Sequence, residues 1–233
     1  MVAEHVLGRR RRTDAVVGAL TVVAGFLYSL FLLTPVLGAT LDPATSFVSE
    51  LAATDQPTSA VFRVVDGVVG LVLVLVGIHL AIRTRRVSPR WAGASLVLFG
   101  VSTLLDAVLP MTCAPSADPV CAAEEAGRSV TSFGLHEVTS VSANLSAIVA
   151  IFLLAAARFR RRPQGGPSTP AGRVFLGALT VVVATGVVVV LNETVGSGLE
   201  PVVGYVQRVQ VLALSVVIVT LGLVTLGRAR GPR

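Results

Sequence analysis

The sequence predicts an all-α polytopic membrane protein, a bundle of six transmembrane helices with both termini cytoplasmic. Three observations carry that fold class. Charged residues make up only 14% of the 233 residues, against 53% hydrophobic, whereas a soluble domain carries about 25% charge to wet its surface. Six runs are long and apolar enough to cross a hydrocarbon core, which takes about 20 residues at about 1.5 Å each. All 19 basic side chains are arginine, and they gather between those runs rather than along them. The composition excludes a soluble enzyme, a coiled coil and a disordered chain. The net charge of +6 reads as membrane topology, and no nucleic acid is expected as a partner.

The expected spans are Val16–Leu37, Phe62–Ile82, Trp91–Leu109, Thr131–Ala157, Val174–Leu191 and Tyr205–Leu226. The first is too long for a cleaved signal peptide and has no clean small-residue site after it, so it reads as a retained anchor. The fourth is the least apolar, holding Ser, Thr and Asn. The fifth is rich in valine, which in water would suggest a buried strand. In lipid an open strand leaves its backbone unsatisfied, so helix is expected. The spans form one transmembrane domain over 16–227. A basic segment, 1–15, precedes it and a basic tail, 228–233, follows. The outer loops are 38–61, 110–130 and 192–204. The turn-rich linker Arg162–Pro170 divides four spans from two. No internal repeat is visible, which speaks against a repeat-built transporter.

Orientation follows from the arginines. Arg9–Arg12, then Arg83, Arg85, Arg86 and Arg90, then Arg158, Arg160–Arg162 and Arg173, then Arg228, Arg230 and Arg233 all fall on one side of an alternating six-span path. Only Glu4 and Asp14 among the acids fall there too. The positive-inside rule makes that side cytoplasmic. The expected location is the plasma membrane, and lipids are the default neighbours.

The outer face carries the chemistry. Asp42-Pro43 reads as an N-cap with proline at the first helical position. Phe47, Val48 and Leu51 would then form the apolar side of a short helix lying at the interface, with Ser49 and Glu50 beside them. Cys113 and Cys121 are the only cysteines. In an oxidising outer compartment they are expected to form a disulfide. A metal pair is the weaker reading, because no further cysteine and no nearby histidine completes a tetrahedral set. No metal and no cofactor is expected.

Ionisable residues within the spans share one depth, near the outer edge. They are Arg63 and Asp66 on the second span, Asp106 on the third, His136 and Glu137 on the fourth, and Arg208 on the sixth. Charges in spans are costly and face the bundle interior. Helical spacing agrees: Arg63, Asp66, Gly70 and Gly77 fall on one stripe, as do Ser95, Ser102 and Asp106, and His136, Ser140 and Asn144. Two readings stand. One is helix–helix glue, with Asp66 or Asp106 paired to Arg208. The other is a polar pocket open to the outside, lined by Arg63, Asp66, Asp106, Asn144 and Arg208. His79, near the opposite end, reads as a lone interfacial residue. His136-Glu137 opens like a zinc-protease motif, but Ser140 stands where the second histidine belongs.

The order Asp42-Pro43, Ser49-Glu50-Leu51, Phe62-Arg63, Asp66, Gly70, Asp106, Leu109-Pro110, Cys113, Cys121, His136 and Gly204-Tyr205 with Gln207-Arg208 resembles the prokaryotic membrane family called domain of unknown function 998. The resemblance runs from about Val16 to Leu226. It implies a multi-span membrane protein without an assigned activity. The chain departs from the family pattern at Met111-Thr112, where an acid often precedes the loop cysteine, and at Gln207, where Glu often precedes the arginine. A more distant similarity, to intramembrane metal hydrolases of the ceramidase type, implies three histidines at one face, and only His136 lies at that depth.

The expected function is that of a non-enzymatic membrane protein whose pocket binds a lipid headgroup, a small molecule or a membrane partner. The alternatives are a lipid hydrolase of the outer leaflet and a small-molecule transporter. For the hydrolase the candidate residues are Ser49, Glu50, His136 and Glu137, with His136 or Glu137 as base, Ser49 as nucleophile and Arg208 as anion stabiliser.

Overall fold

The computed structural model describes residues 2–84, 86–126, 132–159, 169–195, 198–199 and 201–230. Arg85, Arg160–Arg162, Arg233, Thr131 and most of the Arg162–Pro170 linker lie outside the described residues. Every regular element among the described residues is helical: α1 (Val2–Tyr28), α2 (Thr34–Leu37), α3 (Ser59–Arg83), α4 (Val87–Val108), α5 (Pro119–Ala126), α6 (Ser132–Phe159), α7 (Pro170–Val195) and α8 (Val203–Arg230). Helices α3, α4, α6, α7 and α8 are each long and apolar enough to cross a membrane, and α1 with α2 makes a bent sixth candidate. The valine-rich fifth run is the helix α7.

The first span is not one straight helix. It stops at Tyr28, passes through a 3-10 turn at Leu30–Leu33 and resumes as α2, bent by 45°. Pro35 stands at the start of α2, a position that tolerates proline. It lacks an N–H for the carbonyl of Phe31. Thr34 replaces the missing donor: its hydroxyl donates to Phe31 O at 2.9 Å. Gly38, at φ 74°, ends α2 in the left-handed region that favours glycine.

The long helices form a ring in chain order. α1 packs on α3, α3 on α4, α4 on α6, α6 on α7 and α7 on α8, and α8 closes on α1. Two seams bring backbones together through glycine. A Cβ built on Gly70 would stand 2.7 Å from Gly100 O, and one on Gly77 would stand 2.6 Å from Gly93 O. Across the other seam, a Cβ on Gly222 would meet Gly18 O at 2.8 Å. Within lipid there is little hydrophobic gain between helices, so such close backbone approach supplies the packing. Val69, Leu73, Phe99, Ile151, Phe175 and Ile218 fill the interior, while Val64, Leu71, Leu98 and Leu145 are exposed on the flanks.

At the arginine-bearing end, Asp14 Oδ1 lies 2.8 Å from His79 Nε2 and accepts a hydrogen bond from Arg83 Nη2 at 3.1 Å. His79 is therefore paired across α1 and α3, and is not the lone interfacial residue that its sequence position suggested.

At the opposite end the loops fold inward as a cap with its own core of Phe31, Leu41, Leu51, Ala53, Phe62, Met111, Ala114 and Cys121. The first loop does not lie at the interface as an amphipathic helix. Its Ser49–Ala52 segment is a 3-10 turn, and Leu51 is only 1% exposed. The helix expected after Asp42-Pro43 does not form: residues 43–45 are a turn, which Asp42 Oδ1 holds by accepting Ala44 N–H at 2.8 Å. Thr58 and Ser59, entering α3, donate to Leu51 O and Ala52 O, both at 2.9 Å, and so turn the 3-10 segment back onto the bundle.

Candidate functional site

A disulfide closes the second loop of the cap on itself, and a buried carboxylate ties the first loop to it. Cys113 and Cys121 form a disulfide with a Cα–Cα separation of 6.1 Å. Glu50, 3% exposed, accepts from Phe47 N–H at 2.7 Å through one oxygen. Through the other it accepts from the backbone and hydroxyl of Ser116, inside the disulfide loop. Three donors thus occupy the Glu50 carboxylate, the candidate base of the first loop, and it holds that loop to the second.

Arg208 serves the same cap. Its Nη1 donates to Pro43 O at 2.8 Å, Ser46 O at 2.6 Å and Gly204 O at 3.1 Å. The expected pairing of Arg208 with Asp66 or Asp106 is not formed. Its neighbour Gln207 accepts from Val48 N–H at 2.5 Å. Gly204 fits beneath the loop because a Cβ there would sit 2.5 Å from Ser46 O. Arg63 lies on the seam of α3 and α4, donating from Nε to Ala107 O at 3.0 Å.

Beneath the cap lies a cavity of about 230 Å³. Asp66, Asp106, His136, Ser140 and Asn144 line it, together with Ser49 from the cap. Arg63, Arg208, Glu50 and Glu137 do not line it. Glu137 follows His136 by about 100° around α6 and instead borders a shallow outer groove between α4 and α6, with Ser95, Leu98 and Leu145. Asn144 is twelve residues along α6 from Ser132, about 18 Å at helical rise, so the cavity reaches well into the bundle.

A polar chain crosses its wall. Thr139 donates to Asp106 Oδ1. His136 Nδ1 lies 3.2 Å from the same oxygen, in an orientation that makes no hydrogen bond and leaves this buried nitrogen without one. On the other ring edge, His136 Nε2 lies 3.3 Å from Ser140 Oγ. Deeper, Gln210 Nε2 donates weakly to Asn144 Oδ1 at 3.5 Å and to Val182 O at 3.3 Å. Asp66 differs from all of these: no hydrogen bond or ion pair of its carboxylate is found among the described residues. No group of three or more Asp, Glu, His or Cys side chains suited to hold a metal occurs among the described residues.

Reading of the sequence missed Tyr28 and Gln210, which also line the cavity. Gln210, two residues after Arg208 inside an apolar run, was a legible signal. Tyr28 was not, because it sits in an unbroken apolar run; its ring stands edge-on to Phe99, with centroids 6.1 Å apart.

Fold and site together define an all-helical, multi-span membrane protein with a disulfide-clipped cap at one end. The chain belongs to the family described as Protein of unknown function (DUF998), whose family model matches residues 10–224. Neither a curated protein nor a solved structure matches it.

Proposed function

We propose that this is a binding protein of the plasma membrane, whose cavity receives a lipid headgroup, a small molecule or part of a membrane partner from the outer side. One observation carries the reading: Asp66 lines a cavity without a partner among the described residues. Asp66 is only partly buried, and an ionisable group within a span is costly and usually paired. Glue between helices would have paired it, whereas a ligand site keeps it available. The polar groups stop partway along the bundle, above the packed Leu73, Phe175 and Ile218, which favours binding over passage through the membrane.

Native mass spectrometry of the full chain released from detergent tests this. The wild type retains a bound small species. Ala143→Phe, which fills the cavity wall, loses it while keeping its helical content. Equal occupancy in both proteins, or an empty wild type, would remove the binding reading.

A second reading has a specific observation behind it. Ser140 Oγ lies 3.3 Å from His136 Nε2, as a nucleophile lies beside its base, and Asp106 lies 3.2 Å from the other ring nitrogen without a hydrogen bond to it. In an outer-leaflet lipid hydrolase, Ser140 rather than Ser49 would attack an ester carbonyl. Its proton would pass to His136 and then to the leaving alcohol, and water would release the acyl group. Covalent labelling of Ser140 by a fluorophosphonate, lost in His136→Ala, would establish that chemistry. An unlabelled wild type excludes it.

A further inference from the structure

We infer that the ligand of this cavity carries an organic ammonium group, primary or quaternary; the inference rests on the binding reading above and names its ligand class. Two carboxyl side chains, Asp66 and Asp106, line the cavity against a single imidazole, His136. The chain has no lysine, and among the described residues no arginine lines the cavity. Among the described residues at this end, Arg63 is engaged with Ala107 O and Arg208 with the carbonyls of Pro43, Ser46 and Gly204. A phosphate or carboxylate entering here would meet two carboxylates and, among the described residues, no arginine in the wall.

The rest of the wall suits an organic cation. Tyr28, Phe31, Phe62 and Phe99 line the same space. Aromatic faces attract ammonium groups through their quadrupoles, most strongly away from water. A bare metal ion would want three or more hard ligands gathered at one point, and no such group occurs among the described residues. At about 230 Å³, the cavity is just below the usual range for drug-sized ligands, roughly 300–1,000 Å³, which suits a headgroup or a small amine. Ethanolamine and choline moieties, free or on a phospholipid, share this chemistry.

The test uses the full chain in a maltoside detergent, with binding read by calorimetry and thermal shift. The probes are choline, its neutral isostere 3,3-dimethylbutanol, and inorganic phosphate. Short-chain phosphatidylethanolamine and phosphatidylglycerol, with identical tails, form the lipid arm. The expected result is at least about a tenfold preference for the ammonium-bearing member, equivalent to about 1.4 kcal/mol, within the free pair, the lipid pair or both. Asp66→Asn should abolish that preference, and Asp106→Asn should reduce it. Preference confined to the lipid pair identifies a headgroup; preference in the free pair identifies a soluble amine. Equal or tighter binding of the isostere, phosphate or phosphatidylglycerol overturns this inference while leaving a binding cavity. If no probe binds and the wild type carries no retained species, the binding reading falls with it.

Discussion

Glu50 Oε2 accepts hydrogen bonds from both the backbone N–H of Ser116, at 2.9 Å, and its hydroxyl, at 2.5 Å, so one carboxylate of the first loop holds the centre of the disulfide loop. With the Phe47 N–H on its other oxygen, the carboxylate is satisfied inside the cap.

Glu50→Ala should therefore destabilise the protein by about 2–4 kcal/mol, since it leaves buried donors without an acceptor. Ser116→Ala, which removes one donor and keeps the backbone bond, should cost about 1 kcal/mol. Thermal unfolding in detergent measures both. Faster reduction of the Cys113–Cys121 bond by dithiothreitol in Glu50→Ala is the accompanying sign. Equal stability of the two variants would contradict the closure.

Arg208→Lys should loosen the first loop although it conserves charge. Nη1 reaches three carbonyls while Nη2 lies 3.4 Å from Ser46 Oγ, and the shorter lysine has one nitrogen that cannot occupy both positions. Proteolysis within 38–48 should accelerate in this variant and stay near the wild-type rate in Arg63→Lys, because Arg63 holds one carbonyl on a helix seam.

The glycine seams make a contrast within one residue type. Gly100→Val should lower stability by about 1–3 kcal/mol or more, because its Cβ would stand 2.5 Å from Gly70 O. Gly177→Ala, with open space around its Cβ, should melt near the wild-type temperature or above it, given the better helix propensity of alanine. Circular-dichroism melts of the two variants separate seam from surface.

The arginine pattern makes a topological prediction. In intact cells, Cys113 and Cys121 should take up an impermeant maleimide once an impermeant reductant has opened their bond. A cysteine placed by Val87→Cys, 70% exposed at the arginine-bearing end in the wild type, should react only after permeabilisation. The reverse pattern would invert the orientation.

Periodicity and length made the helices and the small-residue stripes legible: Gly70 and Gly77 were on the expected face, and Asp66, Asp106, His136 and Asn144 do meet at one cavity. What stayed hidden depended on partners distant in sequence. Spacing says which face of a helix a residue occupies, and not which group meets it. Thus Arg208 could be placed inward, but its acceptors are carbonyls of a loop some 160 residues earlier. Asp14 and His79, 65 residues apart, find each other only once α1 and α3 pack. Pro35 was visible in the first run, yet the 45° bend in that run needed the fold.

The most direct measurement is the stability and occupancy of Asp66→Asn. If Asp66 is kept for a ligand, the delipidated variant should melt at or above the wild-type temperature, since an unpartnered carboxylate is replaced by a neutral isostere, and it should lose the bound species. A variant that melts several degrees lower and still retains the species would make Asp66 a structural residue and contradict the account.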